Sequence, residues 1–182
     1  MKGASLKFIF YLSLAAYSTG SLADSLSTKL LKIEDGDTIV VDFEGAESRF
    51  QLSGIDAPEN IDNAKLKFDI KTTGLDAETL LVIGDAATEH LRSLLPPSST
   101  VMISANMEQQ DKYGRIPAIV SNSNGVQVNE AMVHDGYAVL LTSYPLDEDF
   151  KTRLQRQQTN ARKSNRGLWE KYPETARVWF KE

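Results

Sequence analysis

Short β-branched runs alternate along the chain with stretches of helical period, and their order predicts an architecture. Residues 30–33 and 38–43 are compact apolar segments on either side of Asp35-Gly36-Asp37. Glu44-Gly45-Ala46-Glu47 turns the chain into 48–53, and 100–103 and 116–121 add two more runs of the same kind. Together these give five predicted strands. Pro117 removes a ladder donor from the last run, which predicts a strand end, an edge or a bulge there. Helical spacing is carried by Gly84, Ala87, Leu91 and Leu94/Leu95, with Pro96-Pro97 as the stop. A second helix is predicted over 128–133, ending at Gly136. A third covers about 147–165, with acids in its first turn and basic residues in its last. Residues 60–83 show neither period. They are expected to form an irregular insertion loop, of a length that often marks a lid or a binding loop.

Five short strands with a helix inserted and helices appended predict an α+β fold, a five-stranded OB-type Greek-key barrel with about three helices. The N-terminus modifies this picture. Lys2 and Lys7 precede the apolar run 8–16, and Ser21-Leu22-Ala23 then offers a small-residue cleavage site. That layout predicts a secretory signal peptide over 1–23, followed by a single domain over 24–182 with no membrane association after cleavage. The expected location is therefore periplasmic or extracellular, and the expected state a monomer. The chain contains no cysteine, so its stability rests on the core without disulfides.

Charge bears on possible partners. The chain carries 20 basic and 25 acidic residues for a net −5, and removing residues 1–23, which hold two lysines and no acid, takes this to −7. That balance argues weakly against an extensive phosphate-binding face. Positive charge is local: Lys151, Arg153, Arg156, Arg162, Lys163 and Arg166 lie in one stretch without an acid. The stretch suits either a phosphate-tracking face or a solvated helix.

The candidate chemistry lies in the acidic clusters. Asp37 begins one predicted strand and Asp56 ends another, so a hairpin and its following turn can bring the two together. Hard cations such as Ca²⁺ take oxygen ligands, and Pro58 biases Ala57 to an extended backbone that could aim the Ala57 carbonyl at the same ion. Glu59, one turn on, is placed to take a proton from water. Arg115 could neutralise charge building on phosphoryl oxygens. Each piece alone is weak, since DGDT is a common turn and DKYGR suits a hairpin whose Gly114 supplies a positive φ.

Together and in order, IEDGDTIV (33–40), LSGIDAPE (52–59), GDAATEHLRSLL (84–95), DKYGR (111–115), VNEAMVHDGYA (128–138) and ARKSNRGLW (161–169) resemble the staphylococcal (micrococcal) nuclease family. The resemblance implies an OB barrel with three helices that cleaves DNA and RNA with Ca²⁺, leaving 3′-phosphate and 5′-hydroxyl ends. It implies Asp37, Asp56 and the Ala57 carbonyl as metal ligands, Glu59 as general base and Arg115 as transition-state cation. Lys112, Tyr113 and, less directly, Tyr144 fall where the family contacts the nucleotide. One position departs from the pattern. Five residues before Asp56 the family carries an arginine that holds the scissile phosphate, and here the residue is Gln51. Arg49, two residues earlier on the same strand face, is a candidate replacement. Gln51 and the acidic balance keep a second reading open, a non-catalytic OB module binding single-stranded nucleic acid or a protein. His90 and His134 show no metal-ligand spacing. Trp169 is expected to pack the terminal helix, while Trp179 and Phe180 either dock the tail or form a contact patch.

Overall fold

A computed structural model describes residues 24–141 and 145–180. The predicted signal segment and Tyr144 lie outside the described residues. The chain runs β1 (Asp24–Ile33), β2 (Thr38–Phe43), β3 (Ala46–Leu52), β4 (Ile55–Asp56), α1 (Ala64–Thr73) and α2 (Ala77–Leu94). It continues with β5 (Thr100–Ala105), β6 (Ile116–Asn122), α3 (Val128–His134), β7 (Val139–Leu140), α4 (Glu148–Lys163), α5 (Leu168–Lys171) and α6 (Pro173–Trp179).

Five strands close a barrel in the order β1-β2-β3-β6-β5, as the alternating runs predicted, and β4 pairs separately with β7. All contacts around the barrel are antiparallel except β3–β6, which is parallel and three residues long. Pro117 sits second in β6, opposite Gln51, where that short pairing is made. Its missing N–H therefore falls at a strand end. Period-2 burial along β5 and β6 sends Val101, Ile103, Ala118 and Val120 inward, to meet Ile39, Val41, Phe50 and Leu52. Helix α2 lays its Leu80, Ile83, Ala87 and Leu91 stripe into the same core.

Asn129 fastens α3 to the barrel. Its side chain is fully buried, accepts from the Val120 amide at 2.9 Å and donates to the Ser53 and Ala118 carbonyls at 3.0 Å each. A buried amide with its bonds satisfied fixes one docking geometry.

The expected irregular insertion over 60–83 is corrected. Its centre is α1, capped by Asn63 and ended by Gly74 in the left-handed region, and α2 already begins at Ala77 behind the Asp76 cap. The Lys-Leu-Lys-Phe-Asp-Ile-Lys run of α1 alternates polar and apolar, so its pattern mimics a strand. The helical cues are confined to its caps. Two short helices, α5 and α6, also extend the fold past the three helices expected. Trp169 and Trp179 are both buried against the core, with Phe180 packed on each ring. The tail is therefore docked.

Candidate active site

One cavity of about 440 Å³ brings together Asp37, Gln51, Asp56, Glu59, Lys112, Tyr113 and Arg115, with Lys65, Phe68 and Leu141 in the same wall. The residues arrive from separate elements. Asp37 precedes β2, Gln51 is in β3, Asp56 ends β4, and Lys112–Arg115 form the turn leading into β6. Within Asp35-Gly36-Asp37, the Asp35 carboxylate accepts from the Asp37 amide at 3.0 Å, which curls the triplet and turns Asp37 inward. Asp37 is 5 % exposed, accepts from the Thr38 hydroxyl at 3.0 Å and receives the Ala57 amide at 3.2 Å. That last bond ties the two acidic clusters together.

Glu59 is 8 % exposed, with one oxygen 2.6 Å from the Asn63 amide nitrogen that donates to it. Its backbone is wedged against α2 at Gly84, where a β-carbon would overlap the Glu59 carbonyl and lie 2.8 Å from the Asn60 nitrogen. Close helix approach at that glycine sets the position of Glu59.

Arg115 is anchored on three sides. Asp111 accepts from Nε at 2.8 Å and lies 2.8 Å from the second terminal nitrogen. Thr38 accepts at 3.0 Å and Gln51 at 2.9 Å, and Asp37 lies 3.6 Å away. Asp111 also gathers the Tyr113 and Arg115 amides, closing the turn, and Gly114 takes the expected positive φ of 74°. Burial pushes the Asp111 carboxyl up, but the backbone and side-chain bonds from Arg115 outweigh this and hold it below the ordinary range. Within the DKYGR motif, Asp111 thus holds the arginine that the motif ends on. Its position four residues before the arginine was the available signal.

Gln51 therefore orients Arg115 in place of supplying a second charge. Arg49 is committed elsewhere, 2.6 Å from Glu34 and bonded to the Tyr113 carbonyl at 3.2 Å. It borders an adjoining cavity of about 330 Å³ that shares Glu59, Lys65, Tyr113 and Arg115 with the first. Tyr113 is exposed, with the Lys112 ammonium 4.9 Å and the Arg115 guanidinium 5.3 Å from its ring.

Lys65, on the helix that the sequence pattern concealed, was not anticipated. Its ammonium lies 3.2 Å from Asp56, 3.5 Å from Glu59 and 3.2 Å from Asp69, and it donates to the Ala57 carbonyl at 3.2 Å. Burial lowers its pKa, but the Asp56, Glu59 and Asp69 charges overcome that and carry it above the usual lysine range. Burial acts on the carboxyls in the opposite direction. Burial first, then the Asp37 charge, pushes Asp35 up to about 8. Burial, opposed by Lys65 and assisted by Asp37, pushes Asp56 up to about 6.

These contacts test whether the donor set suits a cation. Asp56, the Ala57 carbonyl and Glu59 already converge on one positive charge, that of Lys65, and all offer hard oxygens of the kind Ca²⁺ takes. The chemistry fits. Among the described residues, however, no three His, Asp or Glu side chains stand ready as a metal cluster.

The basic stretch of α4 is partly consumed by ion pairs, Arg153 with Glu130 at 2.6 Å and Lys151 with Glu148 at 3.4 Å. A cavity bordered by Arg162 and Lys163 shares no lining residue with the one around Glu59. His90 and His134 flank Asp135 at 2.9 and 2.7 Å, well bonded within the fold.

Comparison with known proteins agrees with the fold. The family model of the staphylococcal nuclease homologues matches residues 49–171. Endonuclease YhcR of Bacillus subtilis is 28 % identical over 141 residues, covering 76 % of this chain. The chain spans only 11 % of that much longer relative. The thermonuclease of Staphylococcus hyicus is 26 % identical over 149 residues, covering 82 % of this chain and 79 % of its own. An uncharacterized endonuclease of Escherichia coli is 30 % identical over 158 residues, covering 87 % and 86 % respectively.

Proposed function

The chain belongs to the family of staphylococcal nuclease homologues, and on that footing we propose that it is a Ca²⁺-dependent nuclease hydrolysing phosphodiester bonds of DNA, RNA or both. The observation that carries the reading is one cavity holding the buried Glu59 carboxylate and the anchored Arg115 guanidinium, with Asp37 and Asp56 in its wall. Asp37, Asp56 and the Ala57 carbonyl would hold the cation, which when bound polarises a phosphoryl oxygen and favours ionisation of water.

The rest is done by the chain. Glu59, steadied by Asn63, takes the proton of a water attacking phosphorus. Arg115 offers fixed positive charge to the phosphoryl oxygens. Asp111 and Gln51 hold it before substrate arrives, so little reorganisation is needed during reaction. Lys112 and the exposed Tyr113 contact the nucleotide at the rim. Cleavage on this scheme leaves 3′-phosphate and 5′-hydroxyl ends. Export with loss of residues 1–23 belongs to the same proposal, and N-terminal sequencing of the processed protein would find Asp24 at or near the start.

The test is cleavage of single-stranded DNA with Ca²⁺ or with chelator, beside Glu59→Ala. Ca²⁺-dependent cutting that the variant loses supports the nuclease. A folded wild-type chain that binds DNA without cutting it sinks that reading in favour of the binding module to which the neutral Gln51 points.

A further inference from the structure

Lys65 contacts the acidic site at more points than an ordinary ion pair requires. An ammonium has three N–H donors. This one has four oxygens around it, those of Asp56, Ala57 and Asp69 at 3.2 Å each and that of Glu59 at 3.5 Å. Three of the four belong to the groups assigned above to cation binding and proton transfer, and two of those, Asp56 and Glu59, line the cavity. The fourth, Asp69, lies one helical turn along α1 and is fixed from the other side by the Trp179 indole N–H at 3.2 Å. The Trp179 ring lies beneath the ammonium, 5.3 Å away. Lys65 therefore spans two sets of partners, an acidic cradle on one side and an Asp69–Trp179 platform on the other.

We propose that Lys65 is a tethered competitor for the Ca²⁺ site. Its ammonium occupies oxygens the metal requires, and metal binds by displacing it onto Asp69 and Trp179. This rests on the cation reading above and adds a residue that sets metal affinity. Two positive charges cannot share the Asp56 and Ala57 oxygens, because at about 4 Å and protein-like screening their repulsion is several times thermal energy. The lysine-in conformer therefore withholds the site. Apparent metal affinity is the intrinsic affinity reduced by the fraction of molecules in which the lysine has withdrawn. The docked C-terminal helix enters the balance through Trp179, which steadies the platform the lysine retreats to.

The experiment is calorimetric titration of Ca²⁺ into the purified full chain, wild type against Lys65→Met and Lys65→Gln. Folding is checked by thermal unfolding in chelator. Both substitutions remove the charge, and methionine keeps an unbranched, largely apolar side chain. The expected result is a Kd lowered about tenfold or more in both variants. A lysine with a purely structural role would leave the Kd unchanged or raise it, and that outcome overturns the proposal. Should either variant fail to fold, the wild type still decides. The Lys65 Cε and Nζ resonances must shift in step with Ca²⁺ saturation, and resonances that stay fixed overturn it too. Wild type and variants with equal Kd and normal Ca²⁺-dependent cutting defeat this inference alone. Absence of Ca²⁺ binding in every form defeats the cation reading with it.

Discussion

Replacing Gly84 by alanine separates local helix preference from the site it supports. In an exposed helix interior the change gains about 1 kcal/mol, since alanine is the better helix former by that amount. Position 84 is buried instead, and the added methyl would lie 2.8 Å from the Asn60 nitrogen and overlap the Glu59 carbonyl. Carbon needs about 3.5 Å from such atoms, so α2 and the Glu59 backbone must part by roughly 1.5 Å. Both partners are backbone, and neither yields by a rotamer change. Overpacking of this kind costs about 1–3 kcal/mol, which cancels the helix gain and leaves a net loss of up to ~2 kcal/mol. The kinetic effect is larger. A base misplaced by ~1 Å loses on the order of 10²-fold in rate. Urea denaturation and single-turnover cleavage measured on the same preparation would read both. A variant with a higher denaturation midpoint and wild-type cleavage would refute the argument that Gly84 sets the position of Glu59.

Three further outcomes follow from the same geometry. Gln51→Arg brings a second guanidinium against Arg115, whose 2.9 Å bond to Gln51 it removes; the denaturation midpoint should fall without phosphate and recover with inorganic phosphate, and a midpoint raised in both conditions would contradict this. Asn129→Ala strands the Val120 amide and removes the side-chain donor from the Ser53 carbonyl, while the Ala118 carbonyl keeps the Ser53 amide at 2.8 Å, costing roughly 2–4 kcal/mol at about 1–3 kcal/mol for each unsatisfied group, with some relief by water; a loss below 1 kcal/mol by urea titration would show that α3 is held otherwise. In chelator, stability should fall as pH rises from about 4 to 8. Asp56 and Asp35 keep protons up to about 6 and about 8 in the folded chain, whereas an unfolded chain releases them near 4. Asp111 and Asp135, held below the ordinary range, contribute in the opposite sense but at lower pH. A midpoint that climbs steadily across the window would refute the assignment, and Asp35→Asn should remove its upper part.

The barrel was legible because each of its strands carries its own period and its own turn, from Glu44-Gly45 to Asn122–Gly125. The site carboxylates and Arg115 were legible because their spacing travels with those strand ends. Helix α1 was not, since Leu66, Phe68 and Ile70 fall on alternate positions and only Leu66 is fully buried. With α1 unread, Lys65 and Asp69 lost the i, i+4 relation that would have paired them. Phe68, an exposed aromatic in the cavity wall, went unnoticed for the same reason. Gln51 was read as a missing charge, and its actual partnership with Arg115 depends on a strand pairing that sequence distance concealed. Trp179 reaches Asp69 across 110 residues, a contact no local pattern announces.

The parallel seam between β3 and β6 has a consequence for how function fails. It holds only three residue pairs, and one of them contains Pro117, which contributes no amide proton. Asp37, Gln51, Asp56 and Glu59 lie on the β3 side of that seam, while Asp111 and Arg115 arrive with β6. This short parallel join is therefore also the line along which the site divides. A transient parting there would separate acid from guanidinium while leaving the β1–β5 and β2–β3 ladders of six pairs each intact. Amide exchange at Ser53, whose N–H donates across the seam to the Ala118 carbonyl at 2.8 Å, would then outpace exchange in those ladders, and a molecule could fall silent well before it melts.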